Sequence, residues 1–174
     1  NPTRVHGKGN NIRPSTRMGV EQIIRTAFND AKKYMHEWDE YEEDSSLNKI
    51  PPRKDLRLEA LADILRGEIL IHCHSYRADE ILMLLRVLKE FNISKVTFQH
   101  VLEGYKVAKE LAEFGAMAST FSDWWAYKYE VIDAIPYAGT LMAERGVLVS
   151  FNSDSVNTSS SRAETSRRAT PNRS

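Results

Sequence analysis

From Val20 onward the apolar residues Ile23, Ile24, Ala27, Phe28, Ala31, Tyr34, Met35, Trp38 and Tyr41 recur at steps of three and four. That spacing lines one face of an α-helix. It predicts a long amphipathic helix ending near Asp44, with Ser15 or Thr16 as its cap. Beyond Pro51 and Pro52 a second helix is expected from about Asp55, with Leu58, Leu61, Ala62 and Leu65 on one face and Gly67 as its stop. The pattern then changes. Four times a helix ends at Gly or Asn and a short β-rich apolar run follows, at 68–73, 95–98, 116–119 and 147–151. Each run has the length of a strand and is too short for a helix. Between them helical spacing returns, clearest at Ile81, Leu84, Leu85 and Leu88 and again at Tyr105, Ala108, Leu111 and Ala112. Strands that alternate with helices of this length pair in parallel through right-handed crossovers, so the expected fold class is α/β.

The two ends carry no such pattern. Residues 1–14 are mostly Gly, Asn, Pro, Arg and Lys without apolar periodicity, which describes an exposed loop or arm. Residues 156–174 are Ser, Thr, Arg, Asn and Pro with almost no apolar side chain, too little to offset the entropy of ordering them, and are expected to be a disordered tail. Arg162, Arg167, Arg168 and Arg173 can make that tail a basic arm, although a solvated tail is the commoner outcome.

Composition narrows the partners. At 174 residues one domain is the default. Lys+Arg and Asp+Glu both count 24, so the formal net charge is zero and nothing advertises nucleic acid or an anionic membrane. Cys73 is the one cysteine, which leaves no internal disulfide or redox pair. No apolar stretch approaches a membrane span, and the start of the chain has neither a Met nor a signal-like segment. A fragment or processed piece of a longer protein is therefore expected, with its localisation unreadable.

The candidate chemistry lies where the apolar runs give way to polar residues: His72 and His74, then Gln99 and His100, then Ser119 and Thr120, then Asn152, Ser153 and Asp154. In parallel α/β folds the C-terminal edge of the strands is where loops converge and ligands bind. Two histidines and a carboxylate on one edge suggest a divalent metal with a base beside its water. A single such histidine is more often satisfied by a backbone carbonyl; the pair with Asp154 shifts the balance. His6 in the first loop and His36 on the long helix are expected to be structural, and Cys73 alternates to the face opposite His72 and His74. Trp124, Trp125, Tyr127 and Tyr129 form an aromatic group that commonly serves as cover, and can also wall a pocket. No Gly-rich phosphate loop, G-x-S-x-G elbow or Cys cluster offers another chemistry.

These stretches together, LIHCHSYRADEI at 70–81, TFQHVLEGYKVA at 97–108, STFSDWWAYK at 119–128 and SFNSDS at 150–155, with the opening NPTRV and PSTRMGVE, resemble the metal-dependent amidohydrolases, in their imidazolonepropionase-like branch. The resemblance runs through residues 1–155 and implies the C-terminal half of that family's barrel: a partial (β/α)8 TIM-type barrel of about four parallel strands, resembling strands five to eight, with flanking helices. It implies His72 and His100 as metal ligands and Asp154 as the catalytic general base. His74, Tyr105, Lys106 and Trp124 fall in loops that such proteins use around substrate. The implied cofactor is a divalent metal, zinc by preference, with one or two ions in the complete protein. The family's first-strand H-x-H pair and its fourth-strand Lys or Glu are not in this sequence, and 156–174 match none of its pattern.

The expected function is thus part of a hydrolase acting on C–N bonds of cyclic amides or peptide-like substrates through metal-activated water, inactive as an isolated chain. The expected partners are a small-molecule substrate and either the missing N-terminal half or a second copy. The competing expectation is a non-catalytic half-barrel that binds or assembles with a partner. The fold reading requires His72, His100 and Asp154 to converge at one end of four parallel strands.

Overall fold

In the computed structural model, which describes residues 16–43, 50–121 and 129–152, the periodic stretch after Thr16 forms helix α1 (Arg17–Glu43). The Gly19 amide donates to Thr16 Oγ1 at 3.0 Å, which satisfies one of the amides a helix start leaves without a partner. Phe28, Ala31 and Tyr34 are its buried residues, at steps of three. Helix α2 (Leu56–Arg66) is fixed at both ends. The Asp55 carboxylate accepts from the Arg57 and Leu58 amides at 2.9 and 3.1 Å. At the other end Gly67 adopts the left-handed region at φ 80°, as the expected stop requires.

The described residues fall into two compact units. One comprises those up to Ile71 together with Arg86–Ile93, and the other His72–Leu85 together with those from Ser94 on. In the first, α1 packs on α2. The Phe28 and Phe91 rings meet at 5.1 Å, the Lys32 ammonium lies 4.7 Å from the Phe91 centroid, and Arg25 pairs with Glu90.

The second unit holds the sheet apart from its first residue, Ile71. Its strands are β1 (Ile71–Ser75), β2 (Val96–His100), β3 (Met117–Thr120) and β4 (Leu148–Phe151). Between them run α3 (Ala78–Glu90), α4 (Ala108–Phe114) and α5 (Ala138–Glu144), with short 3-10 turns at Gly104–Val107 and Tyr129–Val131. The strands form one four-stranded sheet in chain order, β1-β2-β3-β4. The pairing is parallel, with Phe98 opposite Ala118 and Ala118 opposite Val149. The fold is the expected α/β arrangement of four parallel strands with flanking helices, part of a (β/α)8 barrel. No helix among the described residues is long and apolar enough to cross a membrane.

The strands sit later in the chain than hydrophobicity suggests. β1 begins at Ile71 rather than at 68, because the amides of both Glu68 and Ile69 donate to the Asp63 carbonyl, at 2.9 and 3.3 Å. Donors engaged in closing α2 cannot also serve a sheet ladder. β2 runs on through His100 and β3 through Thr120, so the polar residues are themselves the last strand residues.

One face of the sheet packs on helices. Phe98 and Ala118 are buried there, with Leu111 and Met142 among the fully buried side chains of this unit. α5 lies against β4, and the approach is close. A Cβ on Gly139 would stand 2.6 Å from Phe151 Cζ and 3.4 Å from Thr120 Cγ2. Gly139→Ala is accordingly expected to destabilise the fold by about 1–3 kcal/mol through overpacking, outweighing the better helix propensity of Ala. Urea denaturation of the variant checks this; an unchanged or higher midpoint would mean that the Phe151 ring gives way freely.

Candidate active site at the strand ends

Alternation along β1 puts His72 and His74 on one face and Cys73 on the other. The Cys73 thiol donates to the His74 carbonyl at 3.7 Å. Burial pushes it up from its ordinary 9.0 to about 11, so it stays protonated at neutral pH and is a poor nucleophile.

The two histidines of β1 differ in what they touch. Gln99 Nε2 lies 2.8 Å from His72 Nδ1. The tautomer follows the amide's orientation: with the Gln99 oxygen turned to the ring, Nδ1 donates and Nε2 keeps a lone pair, the way histidines that bind metals are commonly held. His74 instead meets His100, with ring centroids 4.4 Å apart at an angle of 73°. Its ring also lies 4.7 Å from Tyr76, and the His100 ring stacks on Phe121 at 4.6 Å and 26°.

His100 reaches this position by leaving strand geometry. In register it stands beside Thr120 and Phe151, the layer turned towards α5, whereas Gln99 shares the face of His72. Its backbone takes φ 69°, the left-handed region in which few residues other than glycine sit without strain. That turn breaks the alternation and carries the imidazole to His74, with its Nδ1 buried. Below the pair lies an apolar floor of Tyr76, Leu102, Phe121, Val131 and Ala134. Polar contacts are electrostatically stronger in such surroundings than in water.

At the far side of the sheet Asn152 extends β4 towards the same edge. Its amide donates to the Thr120 carbonyl at 2.9 Å and its side chain donates to Ser119 Oγ at 2.6 Å. Asp154, two residues on, lies outside the described residues, as do Trp124, His6 and the segment 156–174. Of the aromatic group only Tyr129 is described, and it is exposed. His36 pairs with Glu40 on α1 at 3.3 Å, away from the strand ends in sequence and in structural unit.

Tyr105 and Lys106 are both engaged with Asp133. The Tyr105 hydroxyl donates to the Asp133 carbonyl at 2.8 Å, and the Lys106 ammonium donates to Asp133 Oδ2 at 2.5 Å. That hydrogen bond holds the Lys106 ammonium above its ordinary pKa, and burial raises the Tyr105 phenol. Lys106 also lies 3.4 Å from Glu103 Oε2. Sequence reasoning gave Glu103 and Asp133 no role. Their only signal is that Glu103 sits in the quoted VLEGYK stretch, and Asp133 sits in no motif at all.

The imidazoles are donors of the kind a zinc site uses. Their number falls short: a catalytic zinc takes about three protein ligands, and among the described residues no group of three or more His, Cys, Asp or Glu can hold an ion.

No protein-family model matches the chain. The amidohydrolase TasK of Hapsidospora irregularis is 28% identical over 164 residues, 88% of this chain and 16% of that protein. The crystal structure of an amidohydrolase from Thermotoga maritima MSB8 matches with a TM-score of 0.77 at 28% identity, over 92% of this chain and 42% of that one. The chain is related to the amidohydrolase superfamily. It spans less than half the length of either relative, and the narrower imidazolonepropionase-like branch rests on the sequence motifs alone. In this amidohydrolase-related chain the pair on β1 and β2 is the candidate site.

The left-handed backbone at His100 has a direct test. His100→Ala and His100→Gly both remove the ring, but only glycine relaxes φ, so the Gly variant is expected to be the more stable by about 1 kcal/mol. Denaturation midpoints of the two decide it. The reverse order, usual inside a strand, would show that residue 100 has ordinary strand geometry.

Proposed function

We propose that the chain is part of a metal-dependent hydrolase of C–N bonds, acting on cyclic amides or peptide-like substrates. The observation that carries this reading is the meeting of the His74 and His100 rings at neighbouring strand ends, 4.4 Å apart, in a chain related to amidohydrolases. His100 and a histidine of β1 would hold a divalent ion, zinc by donor type, with further ligands from outside the described residues. The family resemblance gives the β1 role to His72; the ring contact with His100 favours His74.

When bound, such an ion polarises the scissile carbonyl and acidifies water. The chain's own groups do the rest. Asp154, in the role the resemblance gives it, would take the proton of the attacking water and pass it to the leaving nitrogen. The apolar floor keeps solvent from beneath the imidazoles. Trp124 is proposed to line the substrate, and Tyr105 and Lys106 to set the loop beside it through Asp133.

A second reading, a non-catalytic module that assembles with a partner, draws on the sheet's edges. β1 and β4 are the outer strands, and Leu148 on β4 is 69% exposed. Exposed edges favour association. Gel filtration with metal analysis separates the two: a complex with stoichiometric zinc supports the site, and a metal-free complex supports the module.

Zinc titration of the chain by calorimetry is expected to give binding weaker than about micromolar, because two imidazoles fall short of the usual ligand count. His100→Ala and His74→Ala should abolish it while His72→Ala keeps it. Loss in His72→Ala alone would return the role to His72, and no loss in any of the three would remove the site. With the rest of the barrel supplied, Asp154→Asn is expected to keep its metal and lose on the order of 100-fold or more in kcat. Near-wild-type turnover at saturating metal would take Asp154 out of the mechanism.

A further inference from the structure

Glu103 lies three residues beyond β2 and is 8% exposed, a depth at which carboxylates are rarely found without partners. It has them on two sides. Its amide donates to the Tyr76 carbonyl at 2.9 Å, and its Oε2 accepts from the amide of Ala78, the first residue of α3, at 3.0 Å. Its counter-charge is the Lys106 ammonium, 3.4 Å from the same oxygen, which in turn donates to Asp133. One carboxylate and one ammonium thereby tie together the segments that follow β1, β2 and β3.

The residue held most firmly by this arrangement is Tyr76. Its carbonyl is taken by Glu103 directly, and the backbone two residues on is taken by the Glu103 side chain. Tyr76 is 7% exposed, and its ring lies 4.7 Å from His74 and 5.9 Å from His100. A ring confined in this way limits the positions open to both imidazoles.

We propose that Glu103 is a positioning residue for the His74–His100 pair: by fixing residues 76–78 through its backbone and side chain, and with its charge set by Lys106, it holds the Tyr76 ring against both imidazoles. This goes beyond the hydrolase reading, because it concerns the placement of the rings whether or not they carry an ion. The competing account is that Glu103 merely caps α3, which its hydrogen bond to Ala78 also accomplishes. A cap alone contributes stability and leaves the rings where they are.

Histidine ring signals in heteronuclear correlation spectra of the metal-free chain distinguish the two. Glu103→Ala is expected to move the ring signals of both His74 and His100, since both feel the ring current of Tyr76, while His36 on α1 stays as an internal reference. Ala62→Gly, at a buried position of α2 in the first unit, lowers stability without altering Glu103 and should leave the signals of His74 and His100 in place. Should Glu103→Ala not fold, Lys106→Met takes its place; it removes the counter-charge and is expected to move the same two signals by a smaller amount. Signals of His74 and His100 that stay at their wild-type positions in the folded variant overturn the proposal. So do signals displaced to the same extent by Ala62→Gly, because the movement would then reflect general loosening. Neither outcome bears on metal binding, so the proposal can fail while the hydrolase reading stands.

Discussion

Parallel strands cannot be joined by a hairpin, so each strand of this sheet must hand the chain to a crossover that returns it to the strand's starting end. With strand order equal to chain order, every strand finishes at one edge and delivers its following segment there. His74, His100 and Thr120 come together for this reason, although they are far apart in sequence. The strands are only four or five residues long, so even one turn of helix cap decides which residue occupies the edge.

What could be read from the residues was what depends on local periodicity. The three- and four-residue steps after Val20 mark α1, and the short apolar runs mark the strands, because burial of one face is encoded within a dozen residues. Alternation also separates Cys73 from its two histidine neighbours. It misleads at His100, where strict alternation turns the ring towards the helices; a left-handed residue at a strand end has no signature in composition when the residue is not glycine. Glu103 was illegible for a different reason. Its side-chain partner Ala78 lies 25 residues back, and the Asp133 carboxylate that shares Lys106 with it is 27 residues beyond Lys106, so only the folded chain brings them together. The resemblance pointed to the superfamily correctly and named His72 as the β1 ligand, whereas the contact that brings His74 to His100 depends on the turn at residue 100 and has no trace in the motif.

The polar groups of the second unit differ in what they contribute. Exposed pairs such as Lys109 with Glu113 are worth a few tenths of a kcal/mol at most. Glu103 is another matter, because losing one partner of a buried charge exposes the fold to its full desolvation cost. The strained backbone of His100 works in the opposite direction, lowering stability at the position where chemistry is proposed. Stabilising contacts around it, the Phe121 stack and the His74 edge contact, offset that strain without removing it.

The contact between Gly139 and Phe151 reaches further than helix packing. Phe151 immediately precedes Asn152, which is hydrogen-bonded to Ser119 and Thr120, so a shift of the ring is transmitted to the end of β4 within one residue. The missing methyl of a helix residue thus acts as a gauge that sets how far the last strand projects. A residue of a helix can in this way govern the strand end that bears the site while touching nothing that reacts.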